Sequence, residues 1–137
     1  MMIVADTNLL SYFLIDGKET SLAERLFALD SEWIAPLLWK SEFRNLLSLY
    51  VRKNLMMLEK SFQYMKDAEY LMRNKAYEVE SNQVLRLAQS SRCSAYDCEF
   101  VTLAKKFEIP LITLDKKILE SFPETATNLN NFLKHTT

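Results

Sequence analysis

The hydrophobic and polar positions along the chain predict strands that alternate with helices. Short apolar runs predict strands at MIVAD (2–6), EWIAP (32–36), YEVES (77–81) and IPLITLD (109–115). Apolar residues recurring every three or four positions predict helices over residues 7–15, 21–29, 37–53, 55–75, 82–91, 94–107 and 116–122. We expect Ser21 to cap the second helix and Pro36 to lie in the first turn of the third. The Met and aromatic residues of the fourth helix are expected in the core, and the segment 127–133 has no clear pattern.

This alternation predicts an α/β fold with a central, mainly parallel sheet and helix-rich surroundings. Parallel strands bring their carboxyl ends to one edge of the sheet, and ligands of such folds bind at that edge, near a reversal in strand order. The first and the last predicted strands both end in an acid, Asp6 and Asp115. These two carboxylates should therefore emerge at the same edge.

Length and composition fit one globular domain over residues 1–137. Hydrophobic residues make up 49% and charged residues 26% of the chain, as in ordinary globular proteins. The formal net charge is −1, so global charge does not indicate a nucleic-acid partner. If the partner is RNA or DNA, local basic residues and metal ions must attract it.

Other sequence features predict a protein of the cytoplasm with no membrane segment. The apolar start of the chain is cut off at Asp6, which does not fit a signal peptide. The uncharged stretch from Thr7 to Ile15 is too short to span a bilayer, which takes about 20 apolar residues. Cys93 and Cys98 are interpreted as buried thiols in a reducing cytosol.

Four acids stand out as candidates for a site, although each also has a structural explanation. Asp6 and Asp115 each precede a predicted helix that they could cap, and Asp97 stands three residues after Ser94 in a capping-box arrangement. Glu42 could be a solvated helix carboxylate. The structural and the functional interpretations do not exclude each other.

The surroundings of three of these acids favour a functional role. On the predicted helix 37–53, Glu42 falls between Leu38 and Leu46, inside the apolar arc, where a carboxylate needs a partner or a metal. Asp97 opens its helix beside a predicted buried stripe, formed by Tyr96, Phe100, Leu103, Ala104 and Phe107. Strand periodicity places the Thr113 hydroxyl on the same face as Asp115.

Convergence of the four acids would require a cation. Two unit charges about 4 Å apart repel by roughly 4 kcal/mol at an effective dielectric constant near 20. Oxygen ligands without His or Cys select hard ions such as Mg²⁺ or Mn²⁺. Such an ion suits the metal-assisted attack of water on a phosphodiester.

Three segments carry a resemblance to a known family: VADTNLL, WKSEFRN and AYDCEFVTLAKKFEIPLITLD. In these the chain resembles PIN-domain ribonucleases, above all the small VapC-type toxins of toxin–antitoxin pairs. The resemblance spans nearly the whole chain and implies a three-layer α/β/α fold. It also implies a metal-dependent endoribonuclease that forms a homodimer and is inhibited by a small antitoxin.

The resemblance also assigns roles to residues. It makes Asp6, Glu42, Asp97 and Asp115 the acids that bind Mg²⁺ or Mn²⁺, with Asn8 and Thr113 as supporting polar neighbours. We expect in-line attack of water on the scissile phosphate, giving a 5′-phosphate and a 3′-hydroxyl. Candidate phosphate contacts are Lys40, Arg44, Lys116 and Lys117.

Other functions fit the sequence less well or remain open. The only histidine, His135, excludes a two-histidine ribonuclease and a Ser-His-Asp hydrolase. Asn8 stands where a dehalogenase-type phosphatase needs its second Asp, and a receiver domain would need two acids after the first strand. Two alternatives stay open: a PIN-like module that binds RNA or protein without cutting, and an RNA-processing or decay nuclease without an antitoxin.

Overall fold

The computed structural model describes residues 2–136; Met1 and Thr137, the ends of the predicted domain, lie outside the described residues. The strands are β1 (Met2–Ala5), β2 (Glu32–Pro36), β3 (Ala76–Tyr77), β4 (Leu111–Ile112) and β5 (Ala126–Thr127). The helices are α1 (Thr7–Leu14), α2 (Thr20–Leu29), α3 (Trp39–Arg52), α4 (Leu58–Leu71), α5 (Ser81–Gln89), α6 (Ala95–Phe107), α7 (Lys116–Ser121) and α8 (Leu129–Thr136).

The strands form one parallel sheet in the order β3-β2-β1-β4-β5, which confirms the predicted α/β class. Helix α6 packs on β1, β2 and β4, while α1 packs on β1 and α2, and α8 packs on α2. Helices thus cover both faces of the sheet in three layers. Because both faces are covered, Ile3, Val4 and Ala5 are all buried, and β1 is a continuous apolar run rather than an alternating one.

The strand order reverses between the neighbours β1 and β4. After β1 the chain moves outward to β2 and then β3, and after β4 it moves to β5 on the opposite side. In open parallel sheets this reversal leaves a crevice beyond the carboxyl ends of the two strands. Asp6 follows β1 and Asp115 follows β4, so the fold places both acids at this crevice, as predicted.

An aromatic cluster from α1, α2 and β2 fills part of the core. The ring of Phe13 lies 4.7 Å from that of Phe27 and 5.1 Å from that of Trp33, measured between centroids. The Trp33 indole donates a hydrogen bond to the carbonyl of Asp30 at 2.6 Å, which satisfies its one polar group. Cys93 and Cys98 are buried free thiols, as predicted.

Two predicted helix starts are wrong. Pro36 is the last residue of β2. The amides of Ala35 and Leu37 donate to the carbonyls of Lys75 and Tyr77 at 3.1 Å, and the proline nitrogen faces β1, which has already ended at Ala5. Helix α2 starts at Thr20, and Ser21 does not cap it. The Thr20 hydroxyl accepts the Gly17 amide at 3.0 Å and closes the preceding loop.

Several predicted elements are longer than the observed ones. The strand predicted at 77–81 is reduced to Ala76–Tyr77, since Ser81 already belongs to α5. The strand predicted at 109–115 pairs only at Leu111–Ile112, because its neighbour β5 is equally short. The helix predicted at 55–75 spans Leu58–Leu71.

Helix α4 also exposes apolar residues that were expected in the core. It packs on α3 and α1 rather than on the sheet, through small residues such as Ser61 and Ala68. Phe62 and Tyr70 are 61% and 78% exposed. Among residues 2–136, no helix is both long and apolar enough to cross a membrane.

Candidate active site

A cavity of about 630 Å³ opens at the carboxyl edge of the sheet, between the ends of β1 and β4 and the helices α3 and α6. All four candidate acids line it: Asp6, Glu42, Asp97 and Asp115. Asn8, the predicted supporting residue on α1, lines it as well. The fold therefore brings together carboxylates that are up to 109 positions apart in the chain.

Asp6 is the most deeply placed of the four, with only 8% of its surface exposed. Its Oδ1 accepts the Leu9 amide at 3.0 Å and caps α1, and its Oδ2 accepts the Thr113 hydroxyl at 2.5 Å. The pKa of Asp6 is raised from 3.8 to about 6, mainly by burial and to a smaller extent by the charge of Glu42, against the opposing effect of these hydrogen bonds.

Thr113 is oriented by the register of the sheet. Ala5 is opposite Ile112, so the next residues, Asp6 and Thr113, are also opposite each other. The Thr113 hydroxyl donates to Asp6 and accepts the backbone amide of Asp115 at 3.1 Å. Strand periodicity alone predicted that the Thr113 side chain lies beside the Asp115 carboxylate. The carboxylate that it contacts is instead that of Asp6, which follows the neighbouring strand β1.

Glu42 is half-buried on α3 and has a partner that the sequence analysis did not identify. The Thr7 hydroxyl donates to its Oε1 at 2.7 Å. Burial raises the pKa of Glu42, the hydrogen bond from Thr7 lowers it, and the negative charge of Asp97 raises it. The sequence offered one signal for this contact: Thr7 directly follows Asp6 and is the first residue of α1, the helix that packs on α3.

Asp97 and Asp115 cap helices and line the cavity at the same time. Asp97 forms a capping box with Ser94, whose hydroxyl accepts the Asp97 amide at 3.0 Å. Oδ1 of Asp115 accepts the amides of Lys117 and Ile118 at 2.9 and 3.2 Å. Each cap holds its carboxylate in place without using all of its acceptor positions.

The donor set of the cavity fits a hard divalent cation. It offers carboxylate oxygens, and the carboxylates repel one another in pairs, Glu42 with Asp6 and Glu42 with Asp97. Within residues 2–136, no three acidic, His or Cys side chains lie close enough together to hold a metal ion between them. Mg²⁺ does not need three protein ligands, because it binds through one or two carboxylates and keeps several waters.

Among the described residues, none of the four predicted phosphate contacts lines the cavity. Lys40 pairs with Glu69 of α4 at 3.1 Å, and Arg44, Lys116 and Lys117 are exposed. Of the described residues that line the cavity, the basic one is Lys53, which sequence analysis missed. The available signal was its helical spacing from Glu42, Leu46 and Leu49 at the end of the predicted helix 37–53.

Tyr96 was predicted to be buried, and this is wrong. It is 64% exposed and lines the cavity, because the first turn of α6 extends past the sheet edge and the buried part of the helix begins at Cys98. Glu99, also missed, is a further acid near the site: burial raises its pKa, and the charge of Glu42 adds to the effect.

Comparison with known proteins gives matches in structure only. No protein-family model and no curated protein sequence matches the chain. The structure of PAE2754 from Pyrobaculum aerophilum matches with a TM-score of 0.78 at 17% identity, over 98% of this chain and 97% of that one. The chain has a PIN-like fold.

Two further solved structures share this PIN-like fold. FitAcB from Neisseria gonorrhoeae matches with a TM-score of 0.71 at 13% identity, over 93% of this chain and 98% of that one. FitAB bound to the IR36 DNA fragment matches with a TM-score of 0.70 at 16% identity, over 93% and 95%. Coverage of nearly the full length on both sides means that the likeness concerns the entire PIN-like fold and not one motif.

Proposed function

We propose that the protein is a Mg²⁺- or Mn²⁺-dependent endoribonuclease and the toxin of a VapC-like toxin–antitoxin pair. The observation that carries this proposal is the convergence of Asp6, Glu42, Asp97 and Asp115 on one cavity at the strand-order reversal. Carboxylates that repel one another in a half-buried cavity are poorly suited to a purely structural role. They suit a cation and a phosphodiester that the cation neutralises.

The side chains divide the work between holding the ion and orienting the holders. Asp6, Glu42, Asp97 and Asp115 would bind the ion, which when bound lowers the pKa of water and offsets phosphate charge. Thr113 and Thr7 fix the carboxylates of Asp6 and Glu42 through their hydroxyls. Water adds to phosphorus and the bond to the 3′-oxygen breaks, leaving a 5′-phosphate and a 3′-hydroxyl.

The partner proposals rest on the family resemblance and on the shared fold. We propose a homodimer in the cytoplasm and a small antitoxin that inhibits the site. The similarity to FitAB, solved with a DNA fragment, supports the idea that the toxin with its antitoxin forms a DNA-binding complex. Mass measurement of the protein alone and after co-expression with the product of a neighbouring short gene tests both partners.

The direct test of the activity is RNA cleavage under control of the metal. The purified protein is expected to cut RNA with Mg²⁺ or Mn²⁺, to stop in excess EDTA and to resume when the metal is restored. Asp6→Asn and Glu42→Gln should abolish cleavage and keep the fold, whereas Asp67→Asn, an exposed acid of α4, should cut like the parent protein. End-group mapping should find 5′-phosphates.

Full cleavage in EDTA or in the Asp6→Asn variant would refute the metal-nuclease proposal. RNA binding without any cleavage would instead favour the non-catalytic PIN-like module. Cleavage by a protein whose expression does not slow growth would favour an RNA-processing or decay enzyme without an antitoxin.

A further inference from the structure

We propose that the cavity continues into a binding track for single-stranded RNA, in which Tyr96 stacks on an unpaired base and Lys53 contacts a phosphate. This inference deepens the proposed function and rests on it, because it names the residues that hold the substrate outside the acid site. Both side chains line the same cavity as the acids but come from different parts of the fold: Tyr96 lies on α6, and Lys53 is the C-cap residue that follows α3.

Tyr96 has the features of a stacking platform. Its side chain is 64% exposed and makes no hydrogen bond or ring contact with any of residues 2–136. It directly precedes Asp97 at the start of α6, where Asp97 is held by the capping box. An exposed aromatic ring beside a phosphodiester site offers its face to any unpaired base, and this kind of binding tolerates different sequences.

Lys53 marks the other end of the track. Within the described residues its ammonium group forms no ion pair, unlike those of Lys40, Lys75 and Lys105. At 1.5 Å of rise per residue, α3 carries Lys53 about 16 Å from Glu42 along the helix axis. A strand cut at the acids must therefore extend past the scissile phosphate in order to reach Lys53.

Helix α3 presents further side chains to the same cavity. Ser41, Asn45 and Leu49 follow one another every four residues on one face of α3, and Lys53, the C-cap of the helix, continues this spacing; all four line the cavity. Ser41 and Asn45 are exposed and can hydrogen-bond to ribose or base edges. The acid at the bottom, Asp6, is only 8% exposed, which favours a flexible single strand over a rigid duplex backbone.

Binding is measured in the Asp6→Asn background with Mg²⁺, so that the RNA stays intact. The probe is a fluorescent, unstructured RNA of about eight nucleotides, the scale of known single-strand-binding grooves. Tyr96→Ala should weaken binding roughly tenfold or more, the range found for the loss of one base–aromatic stack. Tyr96→Phe should retain it, and Tyr70→Ala, an equally exposed tyrosine of α4 outside the cavity, should have no effect.

Two further measurements separate stacking and phosphate contact from general damage. With an abasic RNA of the same length, Tyr96→Ala should bind as the background protein does, because no base is left to stack. Lys53→Gln should weaken binding of the long probe, leave binding of a dinucleotide unchanged, and reduce the salt dependence by about one counterion. Lys66→Gln, an exposed lysine of α4, is the matched control.

The track is refuted if Tyr96→Ala binds the eight-nucleotide probe as tightly as Tyr96→Phe does. It is also refuted if Tyr96→Ala weakens single-stranded and duplex RNA equally. The proposed function fails separately: a parent protein that binds RNA in this way but never cuts it refutes the nuclease and leaves the track. A parent protein that cuts RNA, with no effect of Tyr96 or Lys53, refutes only the track.

Discussion

The hydroxyl of Thr7 donates a hydrogen bond to Oε1 of Glu42 at 2.7 Å and joins the start of α1 to α3 at the acid cavity. This bond holds one oxygen of Glu42 and leaves the other available toward the cavity. It also favours the ionised form of Glu42, because it lowers a pKa that burial raises. Thr7 thus ties the position and the charge of a carboxylate 35 residues away to the strand that ends in Asp6.

Thr7→Val removes this hydroxyl with little change in volume. We expect cleavage to fall about tenfold, within the 10- to 100-fold range typical when a partner of a metal-ligating side chain is lost. The acidic limb of the pH–rate profile should move to higher pH, since the pKa of Glu42 rises without the bond. Thr7→Ser keeps the donor and should behave as the parent protein. An unchanged profile in Thr7→Val would show that the bond does not control Glu42.

Thr113→Val tests the bridge between the two central strands. Thr113 is 2% exposed, so the variant removes the partner of Oδ2 of Asp6 and the partner of the Asp115 amide, while Oδ1 of Asp6 keeps the Leu9 amide. We expect a loss of about 1–3 kcal/mol in the free energy of unfolding. The affinity for Mn²⁺, followed by calorimetry, should fall as well, whereas Thr125→Val at the half-buried approach to β5 should leave it unchanged.

The raised pKa of Asp6 predicts how stability depends on pH in the absence of metal. In the folded protein the carboxyl group of Asp6 keeps its proton up to about pH 6, whereas the ordinary pKa of an Asp side chain, which applies to the unfolded chain, is 3.8. The stabilisation from the protonated form is therefore complete below pH 3.8 and is lost as pH rises through about 6. At 1.36 kcal/mol per pKa unit, the loss by pH 7.5 is about 3 kcal/mol.

Urea unfolding in EDTA measures this effect. Asp6→Asn carries no such proton and should be more stable than the parent protein at pH 7.5, with the difference shrinking toward pH 4.5. Mg²⁺ should stabilise the parent protein at pH 7.5 and leave Asp6→Asn nearly unaffected. If the parent protein and Asp6→Asn show the same pH dependence of stability in EDTA, the pKa of Asp6 is not raised in the folded protein.

The capping box of α6 separates structural from functional roles at Asp97. Ser94→Ala removes the side-chain cap and should cost about 1 kcal/mol of stability while largely keeping cleavage. Asp97→Asn keeps a capping side chain but loses the charge, so it should lose cleavage with a smaller effect on stability. Thermal unfolding and an RNA cleavage assay on both variants check this. Full cleavage by Asp97→Asn would restrict Asp97 to its cap.

The local parts of the fold could be predicted from the sequence because they follow from local physics. Helical periodicity located α1, α3 and α6, and apolar runs located β1 and β2, to within a few residues. The ends of these helices and strands were harder to predict, as Pro36 shows. Proline has no amide hydrogen, and whether it can belong to a strand depends on whether a neighbouring strand needs that hydrogen bond. The predicted burial of Tyr96 was wrong for a related reason, since periodicity identifies a helix face but not the point at which the helix leaves the sheet.

The sequence by itself determined the α/β class and the four acids, because an acid that ends an apolar strand or interrupts an apolar helix face is visible locally. Only the tertiary structure decided their partners. Thr113 reaches Asp6 across 107 residues through the pairing of β1 with β4, and Thr7 reaches Glu42 through the packing of α1 on α3. Register and packing are long-range consequences of burying the whole core, so no local pattern could reveal them.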